Sequence, residues 1–382
     1  MISNYQILNI HAHSWTEEDK HLFPTISKPV SHGGFSLSPT GQFEANTKRI
    51  GFIVVPPTNR FPLSLRDNEP AQKPAKIPKY FLDNMLLFIE SSRFGLLKPA
   101  NMRVEVNAHI VCTSEVLELI MCAPYENKTG WSLGVSRYRN TMYICRMDSE
   151  QADPFDQDNL RRIMQESWLK KLHKYCVFEN GSAVPKNKHG SEEAGAFHGV
   201  FSFELNGNRV LFDSPVLAEM NPNGFFGPAQ NWAELQMRLV HMNRLDWTAH
   251  NRTEALKWWV KCFLLGIESL YIALRDEHAF VLDIQKTSVR DLWKNCEKDW
   301  STIVCANFLV RLLNCMSQVM APVDCPSTVY IFKYDAMQGK VAYKAFQGRN
   351  QYTFIADWFR TMLDEHMEDI FPMNEEPQAM PK

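Results

Sequence analysis

The stretch Trp232-Ala233-Glu234-Leu235-Gln236-Met237-Arg238-Leu239-Val240 sets an apolar series, Ala233, Leu235, Met237 and Leu239, against a polar one, Glu234, Gln236 and Arg238. A period of two predicts a half-buried β-strand with one dry and one wet face. An acid followed two residues on by lysine, on one face of a strand, is how many metal-dependent nucleases hold an ion and a phosphate. Here the second position is Gln236.

Outward from that strand, the patterning mixes strands with helices. The clearest hairpin is Val200–Leu205 and Asn208–Phe212 around Asn206-Gly207, a pair that favours a type I′ turn. Residues 131–135 and 141–145 read as paired strands joined near Arg139-Asn140, and 270–274 with 279–284 as another hairpin. Residues 104–111 read as one strand and 119–122 as a further one. Asp158 or Asn159 caps a helix to about Tyr175, with Leu160, Ile163, Met164 and Leu172 on its apolar side. Thr253 caps a helix ending at Gly266; Ser288 with Asp291 forms a capping box; Ser301 caps a long helix. Short helices over 81–91 and 358–370 and strands over 50–55, 329–334 and 341–346 complete the reading, with loops at 73–79, 181–195 and 221–228. No regular βαβ beat appears, so the expected class is α+β with mixed, partly antiparallel sheets flanked by helices. Residues 1–371 are expected to form one domain, proline-punctuated and divergent over 1–100, followed by a loose tail at 372–382.

Composition narrows the function classes. Of 382 residues, 45% are hydrophobic, enough for a large core. A formal net charge of −2 argues against a grossly basic nucleic-acid binder but leaves room for a local basic groove. Nine scattered cysteines, with no Cys-x-x-Cys, argue against a disulfide framework or zinc ribbon and for a reducing compartment. No secretion signal and no uninterrupted apolar run of about 18 residues is seen, so no membrane partner is expected.

Several stretches, in order, resemble the DXO family of decapping exoribonucleases. They are Cys122-Ala123-Pro124-Tyr125-Glu126-Asn127-Lys128-Thr129-Gly130-Trp131, the Lys257-Trp258-Trp259 helix, Trp300 with Val304-Cys305-Ala306-Asn307-Phe308, and Ala356-Asp357-Trp358. The resemblance is good from about Asn107 to Phe371 and thinner before, where Gly34-Phe35-Ser36-Leu37 is similar. It implies a nuclease fold whose relatives remove defective 5′ caps and degrade RNA from the 5′ end with two divalent ions, which require converging carboxylates.

This chain departs from the family's acids. The Glu-x-Lys slot is Glu234-Leu235-Gln236. In the Gly-x-Glu-x-Asp slot, Pro215 and Leu217 stand for the acids; the helix Glu falls on Cys176, the family's arginine on Ser114, and its helix Gln on Lys261. Asp213, Glu219 and Glu179 are the neighbours that would have to rebuild a metal site. The expectation is therefore a degenerate active site with no catalytic residue, no metal and no cofactor. Gln236, Arg238 and Lys261, and the helix cations Arg161, Arg162, Lys170, Lys171 and Lys174, are candidates for RNA contact. Each has a plainer reading: Lys261 as a neutraliser of Glu234, Gln236 as an ordinary polar strand residue, the cations as a solvated face. Trp258 and Trp259 read as core rather than base-stacking platforms, and Cys176 as a small buried hydrophobe. Within the family the departures resemble those of a divergent germline paralogue. That implies nuclear work on RNA 5′ ends or nascent transcripts feeding piwi-associated RNAs, with protein partners in a chromatin-associated complex.

Overall fold

A computed structural model describes residues 5–15, 22–66, 82–100, 103–147, 157–179, 195–220 and 231–365. The loops at 73–79 and 221–228, residues 181–194 of the loop at 181–195, residues 366–370 of the last predicted helix and the tail lie outside the described residues.

The backbone is a ten-stranded mixed sheet. Its order is Gln6–His11, Lys340–Phe346, Val329–Asp335, Trp131–Tyr138, Thr141–Arg146, Ile110–Thr113, Asn208–Val216, Ala196–Leu205, Val30–Leu37 and Phe43–Glu44. Neighbours are antiparallel except where Ile110–Thr113 runs parallel to both strands beside it. The two predicted turns form as expected: Arg139 and Asn140 have φ of 48° and 60°, Asn206 and Gly207 of 48° and 83°, as a primed hairpin turn requires. One face of this sheet packs on the helices Ser114–Cys122, Leu256–Leu265 and Thr302–Met320. The opposite face packs on Asp83–Ser91 and Asp357–Asp364 around Phe35, Tyr143 and Phe359. The α+β class, with mixed sheets, is thus observed.

Two small sheets carry the opening stretch, which is not one strand. Trp232–Ala233 pairs with Ala218–Glu219, beside Gly51–Ile53 and Val177–Glu179. Leu235–Leu239 leaves that sheet and pairs in parallel with Ser269–Arg275, followed by Phe280–Ser288 and Leu63–Ser64. Residues 232–235 are all buried, so the alternation begins only at Leu235. From there Leu235 and Met237 enter a third core with Leu172, Cys176 and Ala233, while Gln236 and Arg238 keep some exposure. Because parallel neighbours cannot be joined by a tight turn, the chain crosses over between Leu239 and Ser269 by helices. That crossover ends in Leu256–Leu265 and carries the helix back over the strand it left.

Four expectations are corrected. Residues 104–111 form two strands in different sheets, Arg103–Val106 and Ile110–Thr113. Residues 119–122 are the end of the helix Ser114–Cys122, whose Val116, Leu117, Ile120 and Met121 recur at helical spacing and are all fully buried. Thr253 is no cap: the helix begins at Arg244, capped by Asn243, whose side chain accepts from Leu245 and Asp246 N–H, and Thr253 lies within a wide turn at Asn251–Ala255. In Gln157–Cys176, Leu160 and Met164 are exposed and only the C-terminal end is packed.

Gly34 shows how tightly the strands approach. A Cβ there would lie 2.3 Å from the His198 carbonyl oxygen and 2.5 Å from the Phe197 ring. The carbonyl is strand backbone and cannot swing aside, so Gly34→Ala is expected to lower stability by about 1–2 kcal/mol, read from the urea midpoint.

Candidate functional site

Glu234 sits at the hand-over between the two small sheets, 2% exposed, its carbonyl accepting from Tyr271 N–H at 2.8 Å. A buried carboxylate needs partners. Lys261, one turn from the end of the crossover helix, supplies the charge: its Nζ donates to Oε1 at 3.0 Å and lies 2.9 Å from Oε2. Gln236 Nε2 donates to Oε1 at 2.6 Å. Burial alone would lower the Lys261 pKa, but the carboxylates of Glu234 and Glu118 reverse that and hold it above its ordinary value.

Glu118 was not singled out in the sequence. It lies on the helix Ser114–Cys122, where burial pushes its carboxyl up to about 7; Glu234 and Glu115 add to the rise, while Lys261 and the Ser114 hydroxyl oppose it. His173 completes the surround: its Nε2 lies 3.3 Å from the Leu235 carbonyl oxygen, and burial lowers its pKa against the pull of Glu234. The floor is therefore Glu118, Glu234, Lys261, Gln236 and His173. Only Glu234, Gln236 and Lys261 of these were anticipated. Read as helical, the spacing of the apolar residues around Glu118 would have set that acid one turn beyond Ser114, in the slot of the family's arginine.

The other family slots are apolar or turned away. Pro215 is exposed, in register with His198. Leu217 packs into the third core, and Cys176 there is fully buried, its thiol pushed up to about 12 by burial. Ser114 is buried at the start of its helix. Asp213 lies on the strand Asn208–Val216, where Phe212 faces the core shared with the Ser114–Cys122 helix and Leu211 faces the other. Alternation puts Asp213 with Leu211, on the far side from Glu118. There its Oδ2 meets His198 Nδ1 at 2.8 Å, and that ring stacks on Phe35. Glu219 is partly buried at a sheet position paired with Trp232, its carboxyl raised by burial alone. The side chain of Glu179 lies outside the described residues. Among the described residues, no group of three or more His, Cys, Asp or Glu side chains is arranged to hold a metal ion.

The cations fall into two sets. Arg238, one strand step beyond Gln236, lays its guanidinium over Trp247 at 4.8 Å and donates to the Leu239 carbonyl. Lys257 is exposed one helical turn before Lys261 on the same face, and was not anticipated. The helix cations do not form one face: at about 100° per residue, Lys170, Lys171 and Lys174 group together while Arg161 and Arg162 point elsewhere. Lys171 bonds the Arg66 carbonyl, and Arg162 lies 3.8 Å from Glu166.

The residues that carry the resemblance are largely scaffold. Tyr125 OH accepts from Ser301 N–H at 2.8 Å, Glu126 accepts from Lys128 and Thr129 N–H, and Trp131 stacks on Tyr334. Trp259 packs on Trp300 and Phe263, and Trp258 on His250; both tryptophans are buried, as expected.

The family described as RAI1-like PD-(D/E)XK nuclease matches residues 27–360 of this chain. The chain is 65% identical over 371 residues to Protein cutoff of Drosophila melanogaster, covering 97% of each. It is 22% identical over 354 residues to the decapping and exoribonuclease protein Rai1 of the same organism, covering 89% of this chain and 92% of that protein. Among solved structures, Candida albicans Rai1 in complex with pU5-Mn2+ matches with a TM-score of 0.69 at 12% identity, over 94% of this chain and 99% of that one. At that identity the likeness is one of fold.

Proposed function

The chain belongs to the RAI1-like PD-(D/E)XK nuclease family, and on that footing we propose that it is a catalytically inactive member that engages RNA 5′ ends or nascent transcripts within a nuclear complex. The observation that carries the inactive half is the seat of Lys261. Two divalent ions need several carboxylate oxygens converging on one place. Here the surviving acid already has a lysine ammonium on both oxygens and an amide on one. Two acid slots hold Pro215 and Leu217, and the third holds Cys176. The residues present do not fit a pair of ions, and the reading takes that site as lost.

The RNA half draws on the family and on the cleft's rim. A relative's structure holds pU5, a fact about that protein. In this chain Lys261 is spent on Glu234, which leaves the exposed Lys257, one helical turn before it, with Arg238 and Trp247 along the strand. A rim of this kind suits a phosphate backbone and a base face, without the fixed atoms that hydrolysis demands. A germline role, in transcription or processing of piwi-associated RNA precursors with chromatin-bound partners, is the narrower form of the reading and rests on the resemblance. The neutralised floor also favours a second reading, a protein-interaction scaffold with a vestigial cleft.

The test uses a 5′-monophosphate RNA. The purified chain is expected to leave it intact with Mg2+ or Mn2+, and to bind it with an affinity that falls as salt rises. Lys257→Glu should weaken binding about tenfold at low salt, measured by fluorescence anisotropy. Degradation abolished by Glu234→Ala would return the chain to the active nucleases. Binding undetectable at low salt would leave the scaffold.

A further inference from the structure

A cleft of about 640 Å3 lies beside the C-terminal end of the crossover helix Leu256–Leu265, away from the Glu234 site. Lys261 and Phe263 stand about 200° apart on that helix, so one turns to Glu234 and the other to the cleft. The walls are aromatic. Trp259 and Phe203 are buried in the lining, and Phe263 and Trp293 are partly exposed there. These rings are braced by their neighbours: Trp259 stacks on Phe263 with centroids 5.3 Å apart and packs on Trp300 at 5.4 Å. Gly266, with φ of 68°, ends the helix against Pro29, whose ring would lie 3.0 Å from a Cβ at that position. The cleft is therefore formed in the free chain, with the size and apolar lining of a binding site.

Two features say what fits it. The first is apolar surface that continues past the cleft. Leu22, Phe23 and Val30 are all exposed. Phe23 meets the Phe263 ring edge-on at 5.9 Å, Val30 follows Pro29, and the Leu22 carbonyl accepts from the Asn307 side chain at 3.0 Å. Exposed apolar side chains gathered around a preformed cleft mark a protein-contact surface. The second is charge. The lining sets two exposed cations, Lys28 and Arg290, against one exposed acid, Glu268. An arginine beside aromatic walls is the composition of an interface hot spot. A strand of RNA asks for cations along the length of a groove, whereas two cations around an apolar cleft suit carboxylates set beside an apolar anchor. We infer that this cleft docks a partner protein through a segment carrying a leucine or aromatic anchor with acidic residues next to it. The anchor enters between Phe263 and Trp293, the acids meet Lys28 and Arg290, and the rest of the segment covers Leu22, Phe23 and Val30. This surface is separate from the Glu234 site and does not depend on RNA binding there.

The probe is a random peptide library displayed on phage, selected on the full chain and counter-selected on Lys28→Glu/Arg290→Glu. Both positions are exposed, so this variant is expected to keep the wild-type urea midpoint. Enriched peptides should share a Leu, Phe or Trp anchor with Asp or Glu beside it. Made with a fluorescent label, they should bind wild type about tenfold more tightly than the charge-reversed variant in anisotropy titrations. The same peptides with their acids replaced by lysine should prefer the charge-reversed variant. Phe263→Ala should also weaken binding about tenfold, and Trp293→Ala, likewise partly exposed, repeats that test should Phe263→Ala not fold. Several results overturn the inference: no peptide enriched on wild type, a consensus without acids, or binding indifferent to the charge reversal. Displacement of the bound peptide by single-stranded RNA overturns it in favour of RNA, and self-association lost in Phe263→Ala overturns it in favour of a second copy of the chain. Lys257→Glu, which tests the RNA rim, should leave peptide binding unchanged, so either reading can fail without the other.

Discussion

Lys261→Met is expected to lower the unfolding free energy by about 3–5 kcal/mol, because it leaves Glu234 buried and unpaired. Glu234 is 2% exposed and Lys261 23%, so the acid has little water to fall back on. Gln236 would keep its 2.6 Å bond to Oε1, but an amide supplies no charge. Ranking this change above the others follows from the asymmetry of buried pairs. Removing one partner costs much more than removing both, since the desolvation of the survivor is no longer offset. Glu234→Gln/Lys261→Met should therefore recover most of the loss, although it carries one change more. Urea unfolding of wild type, both single variants and the double gives the coupling directly. A double variant as unstable as Lys261→Met would mean that the lysine acts through its packed stem and not through its charge.

What could be read in advance was local, and what could not was assembled from distant parts. Asn206-Gly207 between alternating apolar runs encodes its hairpin within about ten residues, and the hairpin is there. The Lys257-Trp258-Trp259 run marks a buried helix for a similar reason. The meeting of Glu234 with Lys261 was legible only through the resemblance, which set Lys261 beside the old site as a neutraliser of Glu234, as it is. It exists because two parallel strands need a crossover, and no spacing between residues 234 and 261 announces where that crossover lands. Glu118 was hidden by a wrong period. Leu119-Ile120-Met121-Cys122 is a continuous apolar run, and such runs fit a strand or a buried helix equally well. Length was the arbiter available: counted from Ser114, the segment is nine residues and helical, and its one inward acid joins the floor. Asn243 with Asp246 carries the same legible cap chemistry as Thr253, and it is the pair that forms the cap. The break at Glu234 had no local sign, since the residue pattern from Ala233 to Leu239 alternates without interruption while the chain passes from one sheet to another.

Two buried groups should make stability respond to pH in opposite senses, their windows overlapping between about pH 4.5 and 6.5, so that wild type changes little there and loses stability above and below that range. Glu118 titrates at about 7 in the folded chain, above the ordinary 4.5. Its raised value means that the folded state prefers the protonated acid. The contribution is full below pH 4.5 and is lost as pH rises through about 7, amounting to about 2 kcal/mol after allowing for the partial exposure of the residue. His250 behaves in the opposite sense. Burial between Trp247 and Trp258, with the Arg238 guanidinium nearby, lowers its pKa from 6.5 to about 4. The folded state prefers the neutral ring, so its contribution is full above pH 6.5 and is lost as pH falls through about 4, by about 3 kcal/mol. Glu254, 3.9 Å from the ring, softens that loss, since a carboxylate there favours the imidazolium. The two limbs are separable. Glu118→Gln should raise stability at pH 8 and leave a profile that climbs with pH from about 4 to 6.5, the His250 contribution alone. His250→Phe, which keeps a ring against Trp258, should leave a profile that falls as pH rises from about 4.5 to 7, the Glu118 contribution alone. Urea midpoints from pH 4 to 8 for the three proteins decide it. If Glu118→Gln left stability at pH 8 unchanged, the carboxylate would already be well solvated, and Lys261 would be serving Glu234 alone.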